Sequence, residues 1–109
     1  MDINIWNGEK VITLDRRERI ILHLAEQLPP ANGNDPRGAP LTPAGMAKSL
    51  GIPHATAYTT LRVMSFNDEV VPLAERYTGM IGNRHAVGNQ MYLLTDKGHQ
   101  LAALIRARL

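Results

Sequence analysis

The spacing of apolar residues along this chain switches from near 3.6 to 2 and back, which predicts helices, then a hairpin, then a last helix. Leu14, Ile20, Ile21, Leu24, Ala25 and Leu28 recur at the helical period with Arg16, Arg17, Glu18 and Arg19 opposite, so a helix is expected over residues 14–28. Thr13 or Asp15 suits its start, and Pro29-Pro30 stops it because proline lacks the amide donor. Residues 29–40 hold Asn32-Gly33-Asn34-Asp35-Pro36 and Gly38, and read as a mobile loop too poor in apolar residues to pack.

A second helix is expected over residues 42–50, with Thr42 as N-cap, Pro43 at the first helical position, and Ala44, Met46, Ala47 and Leu50 on its apolar side. Gly51 ends it, Ile52 points inward, and Pro53 opens a third helix over residues 54–65 in which Ala57, Thr60, Leu61 and Met64 share a face. After an Asn67-Asp68 turn the period becomes two, with Val71, Leu73, Glu75 and Tyr77 alternating with Pro72, Ala74, Arg76 and Thr78. Gly82-Asn83 suits a hairpin turn, and pairing Ile81 with Arg84 places Tyr77 opposite Gly88, Leu73 opposite Tyr92 and Val71 opposite Leu94. Gly79, Gly82 and Gly88 fit turns or bulges in this hairpin of residues 70–94. Thr95 then caps a final helix over residues 96–109.

Composition narrows the class. A chain of 109 residues with 44% hydrophobic residues is expected to form one domain over residues 1–109 with its own core. The absence of cysteine excludes disulfide staples, thiolate catalysis and thiolate-bound zinc. No apolar run approaches the ~20 residues that span a bilayer. The start, Met1-Asp2-Ile3-Asn4, has no basic stretch followed by an apolar one, so a soluble, cytoplasmic protein is expected. Catalysis is not expected: His23, His54, His85 and His99 lack metal-ligand spacing, Ser49 and Ser65 lack a base, and no cofactor motif appears. Net charge is only +2, but residues 1–35 hold four basic and six acidic side chains while residues 36–109 hold eight and four. That drift hints at an anionic partner for the second part.

The informative segment is residues 42–61. Ala47 offers the small side chain that two steeply crossing helices need where they touch, and Gly51, four residues on, tolerates the turn between them. Leu50, Ile52, Ala57 and Leu61 bury the inward faces, which is the spacing of a helix-turn-helix. With the hairpin behind it as a wing, and Tyr92-Leu-Leu-Thr-Asp-Lys-Gly-His-Gln-Leu101 leading from strand to helix, the chain resembles winged helix-turn-helix regulators of the multiple-antibiotic-resistance and PadR-like kind over residues 14–109. The resemblance implies an α+β winged-helix fold and a transcriptional regulator, such as a repressor, whose third helix enters the major groove of double-stranded DNA. The helical period independently turns Pro53, His54, Ala55, Tyr58, Thr59 and Arg62 outward on that helix. Arg62 suits guanine or phosphate, and His54, Tyr58 and Thr59 suit donation to either. Lys48, with Arg84 and His85 beside the wing tip, suits the DNA backbone or minor groove.

Plainer roles fit several of these residues. Tyr58 also suits a half-buried place against the wing, His54 the helix start, and Arg84 a solvated turn. Arg16, Arg17 and Arg19 fit the exposed side of the first helix, paired with nearby acids. Trp6 reads as a packing anchor, and His23, between Leu22 and Leu24, as a partly buried structural residue. One arginine on the third helix is a weakly basic face, which leaves open an alternative: a winged-helix module that binds protein and not DNA. Leu101, Leu104 and Ile105 are expected to pack the last helix on the domain. Ala102, Ala103, Ala107 and Leu109, with Ile3, Ile5, Trp6, Val11 and Ile12, leave apolar surface suited to a homodimer.

Overall fold

The computed structural model describes residues 2–109. It opens with an antiparallel pair that the periodicity did not separate from the first helix: β1 (Ile3–Trp6) and β2 (Val11–Leu14), with Ile3 opposite Leu14 and Ile5 opposite Ile12. The Asn7 side-chain oxygen accepts from the Glu9 and Lys10 amides and closes the turn between them. Leu14, expected in the helix, is therefore a buried strand residue. The helix, α1 (Arg16–Ala25), starts one position past Asp15, whose carboxylate accepts from the Glu18 amide while the Glu18 carboxylate accepts from the Asp15 amide. It also ends early. Glu26 caps it, and Leu28, immediately before Pro29 and so biased away from helical backbone, is left exposed.

The expected mobile loop is pinned, in contrast to the sequence reading. Asp35 caps a 3-10 helix, Pro36–Leu41, in which Gly38 and Leu41 are buried. Gly38 lies against Tyr77 and Met91, the Gly33 amide donates to Glu75, and the Thr78 amide donates to the Gly33 carbonyl at 2.8 Å. His23 adds a further tie. Its Nε2 donates to the Pro40 carbonyl at 2.8 Å, the structural role expected of a half-buried imidazole. Backbone amides and buried small residues thus do the packing that apolar side chains were expected to lack.

Next come α2 (Pro43–Leu50) and α3 (His54–Phe66), within one residue of expectation. The wing is β3 (Val70–Ile81) paired antiparallel with β4 (Arg84–Leu94). Its tip follows the expected register, Ile81 with Arg84, but its base does not: Tyr77 faces Asn89, Pro72 faces Tyr92, and Val71 faces Leu93. Gly88, at φ +64°, bulges β4, and farther down three residues of β3 stand against one of β4. The two irregularities swap faces. Val70 and Tyr77 are the buried residues of β3, and Val71 is exposed.

The last helix, α4 (Asp96–Arg108), is capped by Thr95, whose hydroxyl accepts from the Gly98 amide and donates to the Asp68 carbonyl. Gly98 sits so close to the Glu69 carbonyl that α4 rolls Gly98, Ala102 and Ile105 inward. Leu104, expected inside, is exposed, and so are Trp6 and Leu109; Trp6 is not a packing anchor within this chain. The core joins Ile12, Leu14, Ile20, Ile21, Leu24, Leu41, Met46, Leu61, Met64 and Met91 from every layer. A half-buried Arg17 forks onto the buried Glu69 carboxylate, Nε to Oε1 at 2.8 Å, tying α1 to the start of the wing. The carboxylate also holds the Arg17 guanidinium above its ordinary range. Arg19 donates to the Leu50 carbonyl at 2.6 Å, so Arg17 and Arg19 bind within the fold more closely than a solvated face would, whereas Arg16 is exposed as expected.

Candidate nucleic-acid interface

Local sequence sets the angle between α2 and α3. The Thr42 hydroxyl accepts from the Gly45 amide at 3.0 Å, and the buried Gly45 lies so close to the Ala39 carbonyl that no side chain fits there. At the other end Gly51 takes φ +66°, ψ +37°, a left-handed cap that costs glycine nothing. The Ile52 amide then donates back to the Ala47 carbonyl at 3.1 Å, and Ile52 is buried. Pro53 gives α3 an extended entry with no side-chain cap. Ala57, Leu61 and Met64 turn into the core, and Ala47 is buried beneath them.

Pro53, His54, Ala55, Tyr58, Thr59 and Arg62 consequently all face solvent. The Arg62 guanidinium lies over the Tyr58 ring, 5.9 Å from its centroid, within reach of a cation–π contact. Tyr58 is 46% exposed, between the free and half-buried places expected of it. The Thr59 hydroxyl donates to the Ala55 carbonyl at 2.8 Å, which leaves an acceptor and a methyl group outward in this conformation, not the donor expected. Helix α3 itself carries no carboxylate that would repel a polyanion.

The wing closes one side of that face. Lys48, exposed near the end of α2, lays its ammonium against Gly82 at the wing turn. Between α2, the start of α3 and the wing lies a cleft of about 520 Å³ whose polar lining is Lys48, His54, Asn83, Arg84, His85 and Asn89. The structure brings together here four of the site residues drawn from three separate stretches of sequence. Arg76, which the alternation of the strand does not single out, stands with Arg62 and Tyr58 around Tyr92. Burial, reinforced by Tyr58, pushes the Tyr92 hydroxyl above the usual phenol range, against a smaller opposing pull from Arg62 and Arg76. Only the bulged register places Arg76 beside Gln90 on this side, so no sequence period signalled it.

The opposite flank of α3 is mixed in charge. A cleft of about 510 Å³ there is lined by Arg16, Thr56 and Thr59 together with Asp2 and Asp15. Among the described residues, no three histidine or carboxylate side chains stand close enough to hold a metal ion, and no helix is long and apolar enough to cross a membrane.

No family model and no curated protein sequence matches this chain. Among solved structures, a cysteine-to-serine mutant of ZitR from Lactococcus lactis superposes with a TM-score of 0.58 at 20% sequence identity, over 96% of this chain and 59% of that one. The chain thus spans about three fifths of the length of the neighbour it matches. At that identity the likeness speaks to architecture and does not single out the multiple-antibiotic-resistance or PadR-like branch. The fold is an α+β winged helix like that of ZitR.

Proposed function

We propose that this chain is a sequence-specific double-stranded DNA-binding transcriptional regulator. It acts without catalysis by occupying a promoter, with α3 in the major groove and the wing on the backbone or minor groove. The observation that carries the reading is the α3 face itself: exposed, free of carboxylates, and flanked by a cleft in which Lys48, His54, Arg84 and His85 converge. In this reading the Arg62–Tyr58 pair and Thr59 meet base edges, Pro53 and Ala55 allow close approach, and Lys48, His54, Arg84 and His85 meet phosphates. The helix-turn-helix of residues 42–65, the wing of residues 70–94 and the last helix of residues 96–109 act as one domain.

The test is an anisotropy titration against genomic fragments at two salt concentrations. Phosphate contacts make affinity fall steeply as salt rises. A second reading, a protein-binding winged helix, draws support from the far end of α3, where Phe66 is 81% and Val63 51% exposed. Absence of binding to every fragment at low salt favours that reading.

A further inference from the structure

The cleft between α2, the start of α3 and the wing has a charge balance that the α3 face lacks. Its titratable lining consists of Lys48 from α2, His54 from α3, and Arg84 and His85 from the wing, with Asn83 and Asn89 as neutral polar neighbours. No aspartate or glutamate lines it. Two fixed cations and two imidazoles therefore share a space of about 520 Å³ without an anion. The Lys48 ammonium lies against Gly82 at the wing turn, and the hairpin register holds His85 opposite Met80 near that turn. The end of α2, the start of α3 and the wing thus bring both imidazoles into one cleft with the two cations.

We propose that this cleft takes up a DNA backbone phosphate together with protons on His54 and His85, so that DNA binding is coupled to proton uptake and tightens as pH falls. The inference rests on the DNA-binding reading above. Imidazole is the side chain whose charge ordinarily changes between pH 5 and 8. A phosphate entering a cleft that has cations and no anion of its own favours the protonated form of each ring beside it. Linkage then requires the reverse: each proton bound more tightly in the complex strengthens the complex. Where DNA raises the proton affinity of one ring by one pH unit, affinity rises by up to about 10-fold as pH drops through the titration, and two rings multiply. The sign is opposite to that of an interface held by carboxylates.

The experiment measures the Kd of a fluorescent duplex, drawn from the genomic fragments the protein retains, at pH 6 and pH 8 and constant ionic strength. Calorimetry at pH 7 in two buffers of different ionisation enthalpy gives the protons taken up. The expected result is binding several-fold or more tighter at pH 6, net proton uptake, and loss of most of both effects in the His54→Gln/His85→Gln double variant. His99→Gln, on the exposed side of α4 away from the cleft, keeps both effects. A Kd that does not change with pH, with no proton uptake, overturns the coupling while leaving DNA binding intact. So does a double variant that retains the full pH dependence. Failure to retain any fragment at either pH in low salt overturns the coupling and the DNA-binding reading together.

Discussion

Arg62 is the single side chain on which the proposed base readout rests most heavily. Its guanidinium lies over the Tyr58 ring at 5.9 Å from the centroid, a cation–π contact, and its planar fork suits a bidentate contact with a base. Replacing Arg62 with Ala is expected to weaken binding of the selected site by ~1–3 kcal/mol and to relax preference at one position. Lysine in its place is expected to restore part of the affinity and little of the preference, since it lacks the planar fork. Competition titrations against singly substituted sites measure both effects, and a variant unchanged in affinity and preference removes Arg62 from the readout. Thr59 stands differently. With its hydroxyl engaged by the Ala55 carbonyl, it offers a methyl group suited to contact with the thymine methyl.

Among the elements, the crossing of α2 and α3 is the joint that aims the proposed interface. Ala47 is buried there with Ile52, Ala57 and Leu61, while at the start of α2 Gly45 lies close to the Ala39 carbonyl. Ala47→Leu is expected to cost ~1–3 kcal/mol or more by overpacking, read as a lower thermal midpoint. An unaltered midpoint would mean that the helices do not touch at Ala47. A second joint ties α1 to the base of the wing through Arg17 and Glu69. Arg17→Leu strands a carboxylate that is only 2% exposed. Loss of one partner of a fully buried pair costs several kcal/mol; because the Arg17 side chain is 38% exposed and partly water-screened, about 1–3 kcal/mol is expected by chemical denaturation.

For the molecule as a whole, the unpaired feature is apolar surface at its two ends. Trp6 is 65% and Val11 59% exposed on the β1–β2 pair, and Leu104 is 66% exposed on α4. The Asn7 side chain donates to the Arg108 carbonyl, so the turn of β1–β2 and the end of α4 lie next to each other. We propose that this surface closes against a second copy. A two-fold pair would set two α3 helices about one DNA turn, ~34 Å, apart on a palindromic site and double a weakly basic footprint. Light scattering at micromolar concentration is expected to give about twice the 12.0 kDa chain mass. A mass near 12.0 kDa that does not change on concentration rules the pairing out. Trp6→Ser should lower the apparent association, because an exposed tryptophan contributes more apolar area than any other residue there.

Short-range chemistry was legible in the sequence wherever neighbours in the chain decide the outcome. The Thr42 cap, Pro43 start, Gly51 stop and inward Ala57, Leu61 and Met64 follow from local hydrogen bonding, backbone sterics and the helical period. The Gly82-Asn83 turn and the pairing next to it follow in the same way. The outward set on α3 is the complement of its buried set, so exposure of those candidates was legible too. What tertiary structure alone decided involves residues far apart in sequence. Leu14 joined a strand because β1 offered it a partner, and residues 29–40 were held by backbone amides and carbonyls that carry no sequence signature. The roll of α4 was set by contact between Gly98 and the Glu69 carbonyl, and the inward face of β3 by bulges at which a period of two breaks down. The cleft belongs to the same class: Lys48, His54, Arg84 and His85 meet only because the wing turn comes to rest on α2. A period records which side of an element is apolar, whereas only the packed molecule determines what stands across from it.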